Sequence, residues 1–286
     1  MRALNAGELQ LIHPKLDLTI HGDVTSMSDH TARQIAGWSA TDVESIVAIE
    51  RVRELAAARG ELGEPCPVDL FIPMIGEPAC PSATKIGGVP FRPAEWSWPV
   101  HAEYGPMTFV CQFNFSDSRE IVPWLPGEML LVFSGDFPPY TDEQGSCLHI
   151  EWYTPRGADV MASESNVAGH PDRIPKMYGI RYRTVDYPAS TAICQAMLAE
   201  IQPVRAVPER KKWLARGCAN LLGWKIGGQM PDLGEPAPNS KFICSLVDLS
   251  VSEDGSPNDV ALIWYDGFTL AFTIDDDRRV QWHLRP

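Results

Sequence analysis

The chain has no apolar run near the ~20 residues that a membrane-spanning helix needs, which argues against a helical membrane protein. It begins Met1-Arg2-Ala3-Leu4-Asn5-Ala6-Gly7-Glu8, without the apolar core of a secretory leader. Its seven cysteines, Cys66, Cys80, Cys111, Cys147, Cys194, Cys218 and Cys244, are odd in number and show no C-x-x-C spacing. A disulfide framework or a structural zinc site would repeat short spacings, so reduced, buried thiols in a cytoplasmic protein are expected, with no metal. Positive charge is scarce: 24 basic residues stand against 37 acidic ones, a net charge of −13. A phosphate backbone attracts the opposite sign, so nucleic acid is excluded as a general partner. Catalytic spacings are missing too. His13, His21, His30, His101, His149, His170 and His283 form neither H-x-x-x-H nor H-E-x-x-H, and no G-x-S-x-G elbow is present.

What the 286 residues do contain is proline, 25 of them, near twice the usual ~5% share. Between Glu64 and Pro99 proline recurs so often that long helices are ruled out, and short strands with tight turns are expected. Residues 1–63 read differently. Leu16, Leu18 and Ile20 alternate with Asp17 and Thr19 as a half-buried strand would. A helix follows, with capping-box spacing at Thr41 and Glu44, an apolar stripe through Val43, Ile46, Val47, Ile49 and Leu55, and Gly60 as its left-handed cap.

Strand patterns dominate the remainder. Phe109, Cys111, Phe113 and Phe115 share one parity, predicting a one-sided strand. Met129 to Phe133 is apolar throughout, predicting burial on both faces, and Leu148 to Tyr153 alternates. Helical zones are expected over 188–200 and 208–222, then strands over 241–250, 261–265, 268–274 and 279–284. Arg205, Arg210, Lys211, Lys212 and Arg216 form one basic island, best read as a solvated face, and Asp275-Asp276-Asp277 as a turn rather than a calcium loop.

Within this pattern the sequence repeats itself. Lys85-Ile86-Gly87-Gly88 recurs as Lys225-Ile226-Gly227-Gly228, and Phe109-Val110-Cys111 is echoed by Phe242-Ile243-Cys244. The doubly apolar strand Leu130–Phe133 has its counterpart at Leu270–Phe272. The expectation is an α+β, β-dominated fold: an N-terminal strand and helix over 1–63, copy one over about 81–155, bridging helices over about 186–222, and copy two over about 223–286. The spacing from Lys85 to Phe109 exceeds that from Lys225 to Phe242 by seven residues, and the excess falls around Glu95-Trp96-Ser97-Trp98-Pro99.

The motifs Ala83-Thr84-Lys85-Ile86-Gly87-Gly88-Val89-Pro90, Trp98-Pro99 and Pro106-Met107-Thr108-Phe109-Val110-Cys111-Gln112-Phe113-Asn114-Phe115-Ser116 resemble those of the YwqG-like family. So does the run from Leu125-Pro126-Gly127 to Phe133, and in the second half Leu221-Leu222-Gly223, Asp248-Leu249 and Trp264-Tyr265-Asp266-Gly267, where Tyr265 replaces the usual glycine. The resemblance covers roughly residues 70–286. It implies a β-rich duplicated fold and transfers no catalytic residue, the family being of unknown function.

Two functions are open to such a chain. One is a non-catalytic binding or interaction protein, immunity-like, acting on a basic protein or a small-molecule ligand, with no cofactor and no membrane. Its site would be the longer loop of copy one, with Trp96, Trp98 and Tyr104 as walls and Lys85 and Gln112 as polar contacts. The other is a hydrolase assembled from Lys85, Asp136, His101 or His149 in the cleft between the copies. For the Lys-Ile-Gly-Gly turn, a structural role competes with an anion-binding nest; a P-loop would place its lysine after the glycines.

Overall fold

The computed structural model describes residues 16–17, 57–60, 62–136, 147–157, 160–186, 224–230, 239–247, 249–251, 260–262 and 269–285. The strands are β1 (Leu16–Asp17), β2 (Cys66–Ile75), β3 (Lys85–Ile86), β4 (Val100–His101), β5 (Gly105–Pro106), β6 (Thr108–Asn114), β7 (Met129–Ser134) and β8 (Leu148–Tyr153). They continue as β9 (Met177–Asp186), β10 (Lys225–Gly227), β11 (Lys241–Val247), β12 (Leu249–Val251), β13 (Val260–Leu262), β14 (Thr269–Ile274) and β15 (Val280–Arg285).

Eleven of them form one antiparallel sheet, in the order β15-β14-β11-β10-β2-β9-β3-β6-β7-β8 with β1 also on β9, while β4 pairs with β5 and β12 with β13. The sheet curls into a near-closed barrel. Side chains from its two wings meet inside: Phe113 of β6 packs edge-on against Phe272 of β14 with ring centroids 6.1 Å apart. The α+β expectation is therefore corrected. Among the described residues no helix reaches seven residues, and nearly all the regular structure is β. A sheet that folds over itself buries its inner face without a helical layer. The helices expected over 188–200 and 208–222, most of that over 41–60, the basic island, His13, His21, His30, Cys194 and Cys218 lie outside the described residues. Gly60 does follow a helical pair at residues 57 and 58, with φ +68°.

At the centre of the sheet, β2 and β9 pair over ten residues each, from Cys66↔Asp186 to Ile75↔Met177. A long central strand inside the proline-rich stretch was not expected, because proline cannot donate to a ladder. Phe71 N–H donates to Trp224 O, so the odd residues of β2 direct their backbone groups toward β10. Pro67 and Pro73 share that parity and flank β10, whose three residues pair with Val68, Asp69 and Leu70. Their missing donors thus fall where no β10 residue asks for one.

Hydrophobic period sets the two layers. Leu148, Ile150 and Trp152 of β8 pack onto the barrel core, while all six residues of β7 are buried. Leu130 and Val132 face inward; Met129, Leu131 and Phe133 join a second, outer cluster with Met107, Phe109 and Tyr153. Strand β6 is not one-sided as its parity suggested, because a register shift between Phe109 and Cys111 turns Phe109 outward while Val110, Cys111 and Phe113 face the core.

The same local geometry occurs on both sides of β2–β9. Ile86 pairs with Cys111, and Ile226 with Cys244. The shift between Phe109 and Cys111 has its match between Phe242 and Cys244. Gly87 and Gly88 have φ +63° and +70°, and Gly227 and Gly228 have +71° and +75°. Each turn also approaches its neighbours closely: a Cβ on Gly87 would sit 2.6 Å from Pro175 O, and one on Gly227 2.2 Å from Ile121 Cγ2.

Candidate functional site

Residues paired across an antiparallel ladder point to one face. Lys85, Gln112, Leu131 and Glu151 are successive partners across β3, β6, β7 and β8, and so form a row on the outer face of the barrel. The next row contains Phe109, Phe133 and His149. Over these rows runs the excursion 91–107, which carries the seven extra residues and the small hairpin β4–β5.

Arg92 anchors the excursion. It is 2% exposed, and its guanidinium forks onto Glu151, Nε to Oε2 at 3.1 Å and Nη2 to Oε1 at 3.0 Å. Nη2 also donates to Ser97 O at 3.2 Å. The guanidinium sits 5.6, 5.5 and 5.6 Å from the rings of Trp96, Trp98 and Phe133. A planar cation that meets a carboxylate with its edge and aromatic rings with its faces satisfies its charge while buried. Residues 160–162 clasp the excursion from outside: Ala94 N–H donates to Val160 O, and Ala162 N–H to Arg92 O, both at 2.8 Å. Arg92 carried a signal that the sequence reading passed over, since it is the sole lysine or arginine between Lys85 and Arg119.

The expected site residues divide into two groups. Gln112 is fully buried, accepts Phe91 N–H at 2.8 Å and donates to Pro81 O and Ala83 O at 2.9 and 2.7 Å. Its amide is used up in holding backbone, so it offers no contact to a ligand. Trp98 is half-buried, donates Nε1–H to Met107 O at 2.7 Å and stands edge-on to Phe133. It belongs to the outer cluster. Lys85 is buried and pairs with Glu77 at 3.3 Å. Trp96 and Tyr104 are different: they are 37% and 46% exposed, Trp96 edge-on to Tyr153 and Tyr104 stacked on His101.

Within the hydrolase set Lys85 stands apart, while His101 lies against Gly135, next to Asp136 in sequence. Gln112 and Leu131 stand between Lys85 and the strand that bears His149, a separation of about 14 Å or three strand spacings. His149 Nε2 approaches Glu151 Oε1 at 3.4 Å. His101 Nδ1 accepts the N–H groups of Glu103 and Tyr104 at 3.2 and 3.3 Å, which commits it to its own turn. Ser134 donates to Asp136 O. Among the described residues no group of three or more His, Cys, Asp or Glu is placed to hold a metal ion.

The Gly-Gly turns also resolve their own question. In the second, Asp186 Oδ2 accepts Gln229 N–H at 3.0 Å and Lys225 Nζ at 3.1 Å. In the first, the Glu77 carboxylate lies so close to Gly88 that a Cβ there would meet Oε1 at 1.8 Å. Each turn is filled by a carboxylate of this chain.

No helix among the described residues is long and apolar enough to cross a membrane. No curated protein matches the chain. Residues 84–176, which run from β3 through the excursion and β8 to the start of β9, are similar to a domain of unknown function, DUF1963, whose family model they match.

Proposed function

We propose that the protein is a non-catalytic, cytoplasmic binding protein that recognises a basic partner through the outer surface of the excursion 91–107. The observation that carries this reading is where the exposed apolar side chains gather. Of the six large hydrophobic residues exposed among those described, Trp96, Val100 and Tyr104 lie on the excursion and Val160 on the segment that clasps it. Exposed aromatic side chains are the usual anchors of recognition. The fixed charge beside them is negative, from Glu95 and Glu103, because the cation of Arg92 is already matched by Glu151. In this reading residues from about 81 to 155 and from about 223 to 286 are two copies of one module of the YwqG-like kind. The second copy serves as scaffold and the first carries the recognition loop.

The test uses the full chain as bait in its native extract at low and high salt, beside Trp96→Ala and Tyr104→Ala. The expected result is a basic protein recovered by the wild type, weakened by salt and lost with both variants while their melting temperatures stay near the wild type's. Equal recovery by all three baits would overturn the reading.

A further inference from the structure

The two Lys-Ile-Gly-Gly turns hold their lysines differently. Lys225 and Asp186 are both fully buried, and Lys225 Nζ also donates to Gln229 O at 2.6 Å. With Asp186 taking the Gln229 N–H as well, this pair is closed. The Lys85 side chain is as deeply placed, 3% exposed, yet its acceptor among the described residues is a single one, Glu77 Oε2 at 3.3 Å. An ammonium has three donors, and burial makes unmet donors costly. Burial accordingly pushes the Lys85 pKa down, against the opposing pull of Glu77.

Glu77 itself is 38% exposed and spans two cations, Oε2 toward Lys85 and Oε1 at 3.8 Å from Lys176 Nζ. Lys176 is half exposed, its other carboxylate neighbour being Glu164 at 4.0 Å. The carboxylate meets Gly88 with Oε1 foremost, so that a Cβ there would fall 1.8 Å from that oxygen and evict it. A carboxylate with one oxygen toward each of two cations, on a side chain that is 38% exposed, has the form of an occupied ligand site.

We propose that the first Gly-Gly turn is a binding site for a small carboxylate ligand, which displaces Glu77 and places one oxygen on Lys85 and the other on Lys176. Glu77 is the resident stand-in that keeps Lys85 paired when the ligand is absent. The second turn, closed around Asp186, is its structural counterpart and binds nothing. The site is separate from the outer surface of the excursion, so its failure would leave the recognition reading intact.

Propionate, which is the Glu77 side chain without its backbone, is the probe. Its midpoint for thermal stabilisation of the full chain is measured at fixed ionic strength set with chloride, beside inorganic phosphate. Saturable stabilisation of the wild type is expected, with a midpoint at least tenfold lower in Glu77→Ala and raised severalfold in Lys176→Ala. Glu77→Ala/Lys176→Ala should lose most of the gain. The Lys176→Ala comparison stands even if Glu77→Ala folds poorly. No saturable effect of propionate on the wild type, an unchanged midpoint in Lys176→Ala, or tighter binding of phosphate than propionate would overturn the proposal.

Discussion

Arg92 and Glu151, 59 residues apart in sequence, meet through two parallel N–H···O contacts of 3.1 and 3.0 Å beneath the rings of Trp96 and Trp98. The pair fastens the excursion to β8. Removing one partner leaves the other charge poorly solvated, which costs about 3–5 kcal/mol for a buried pair. Arg92→Met is therefore expected to destabilise by that order in denaturant unfolding. Arg92→Lys should recover only part of it, because an ammonium cannot reproduce the fork. Equal stability of Arg92→Lys and wild type would show that charge alone suffices.

Trp96 and Trp98 are expected to separate stability from recognition. Trp98→Ala removes an edge-on contact to Phe133 and leaves Met107 O without its donor, at a cost of roughly 3 kcal/mol or more. Trp96→Ala, at a more exposed position, should cost about 1 kcal/mol. Paired thermal melts check this, and equal losses would place both rings in the core.

Cysteine reactivity should be strongly graded. Cys111 and Cys244 are fully buried, and burial raises both thiols, Cys244 further through its nearness to Cys111. The thiolate is the reactive form, so both should resist labelling at pH 8 until the chain unfolds, while the exposed Cys80 reacts at once. Peptide mapping after a short pulse of iodoacetamide reads the order.

The pH dependence attached to Lys85 has a definite sign. Its folded pKa lies below the value of 10.5 for a free side chain, so over that interval the unfolded chain binds more protons. Stability should therefore rise with pH from the folded pKa up to 10.5, and the burial penalty is fully present below it. The stability of the wild type relative to Lys85→Met, followed by urea denaturation from neutral to alkaline pH, should increase. A flat or falling difference would exclude a depressed lysine.

Glycines with positive φ should divide by what surrounds them. Gly60 has nothing within 4 Å of a built Cβ, so Gly60→Ala should cost about 1 kcal/mol, the backbone term alone. Gly87→Ala adds a collision with Pro175 O at 2.6 Å and is expected to cost roughly 2 kcal/mol more. Denaturant midpoints of the two variants test the contrast.

Strands whose signal is local were legible in the sequence. The unbroken apolar run at Met129 to Phe133 reports burial on both faces, and β7 follows it; the alternation of Leu148 to Tyr153 marks β8 as a strand, though Tyr153 on its outer face is its most buried residue. β2 was obscured because Pro67 and Pro73 deny a central strand by local rules, and only the short length of β10 beside it makes them harmless. The shift at Phe109 and Cys111 is a property of two strands together, so parity read along one could not give it. Trp96, Trp98 and Tyr104 were found through composition, but their different burial depends on Phe133, Tyr153 and His101, which lie on other elements. Arg92 was missed for the same reason: its partner Glu151 is far along the chain.

The central β2–β9 ladder has a consequence for the order in which the chain assembles. Cys66 must wait for Asp186, 120 residues later, and Leu70 for Lys225 after that. During synthesis β2 leaves the ribosome with neither neighbour made, while β6, β7 and β8 can already pair among themselves. Barrel formation is thus deferred to the last third of translation, and β2 stays an open edge for the interval between. Long-range ladders form slowly, and unpaired edges invite pairing with other chains. Pro67 and Pro73, which withhold two donors from that edge, give β2 some protection while it waits.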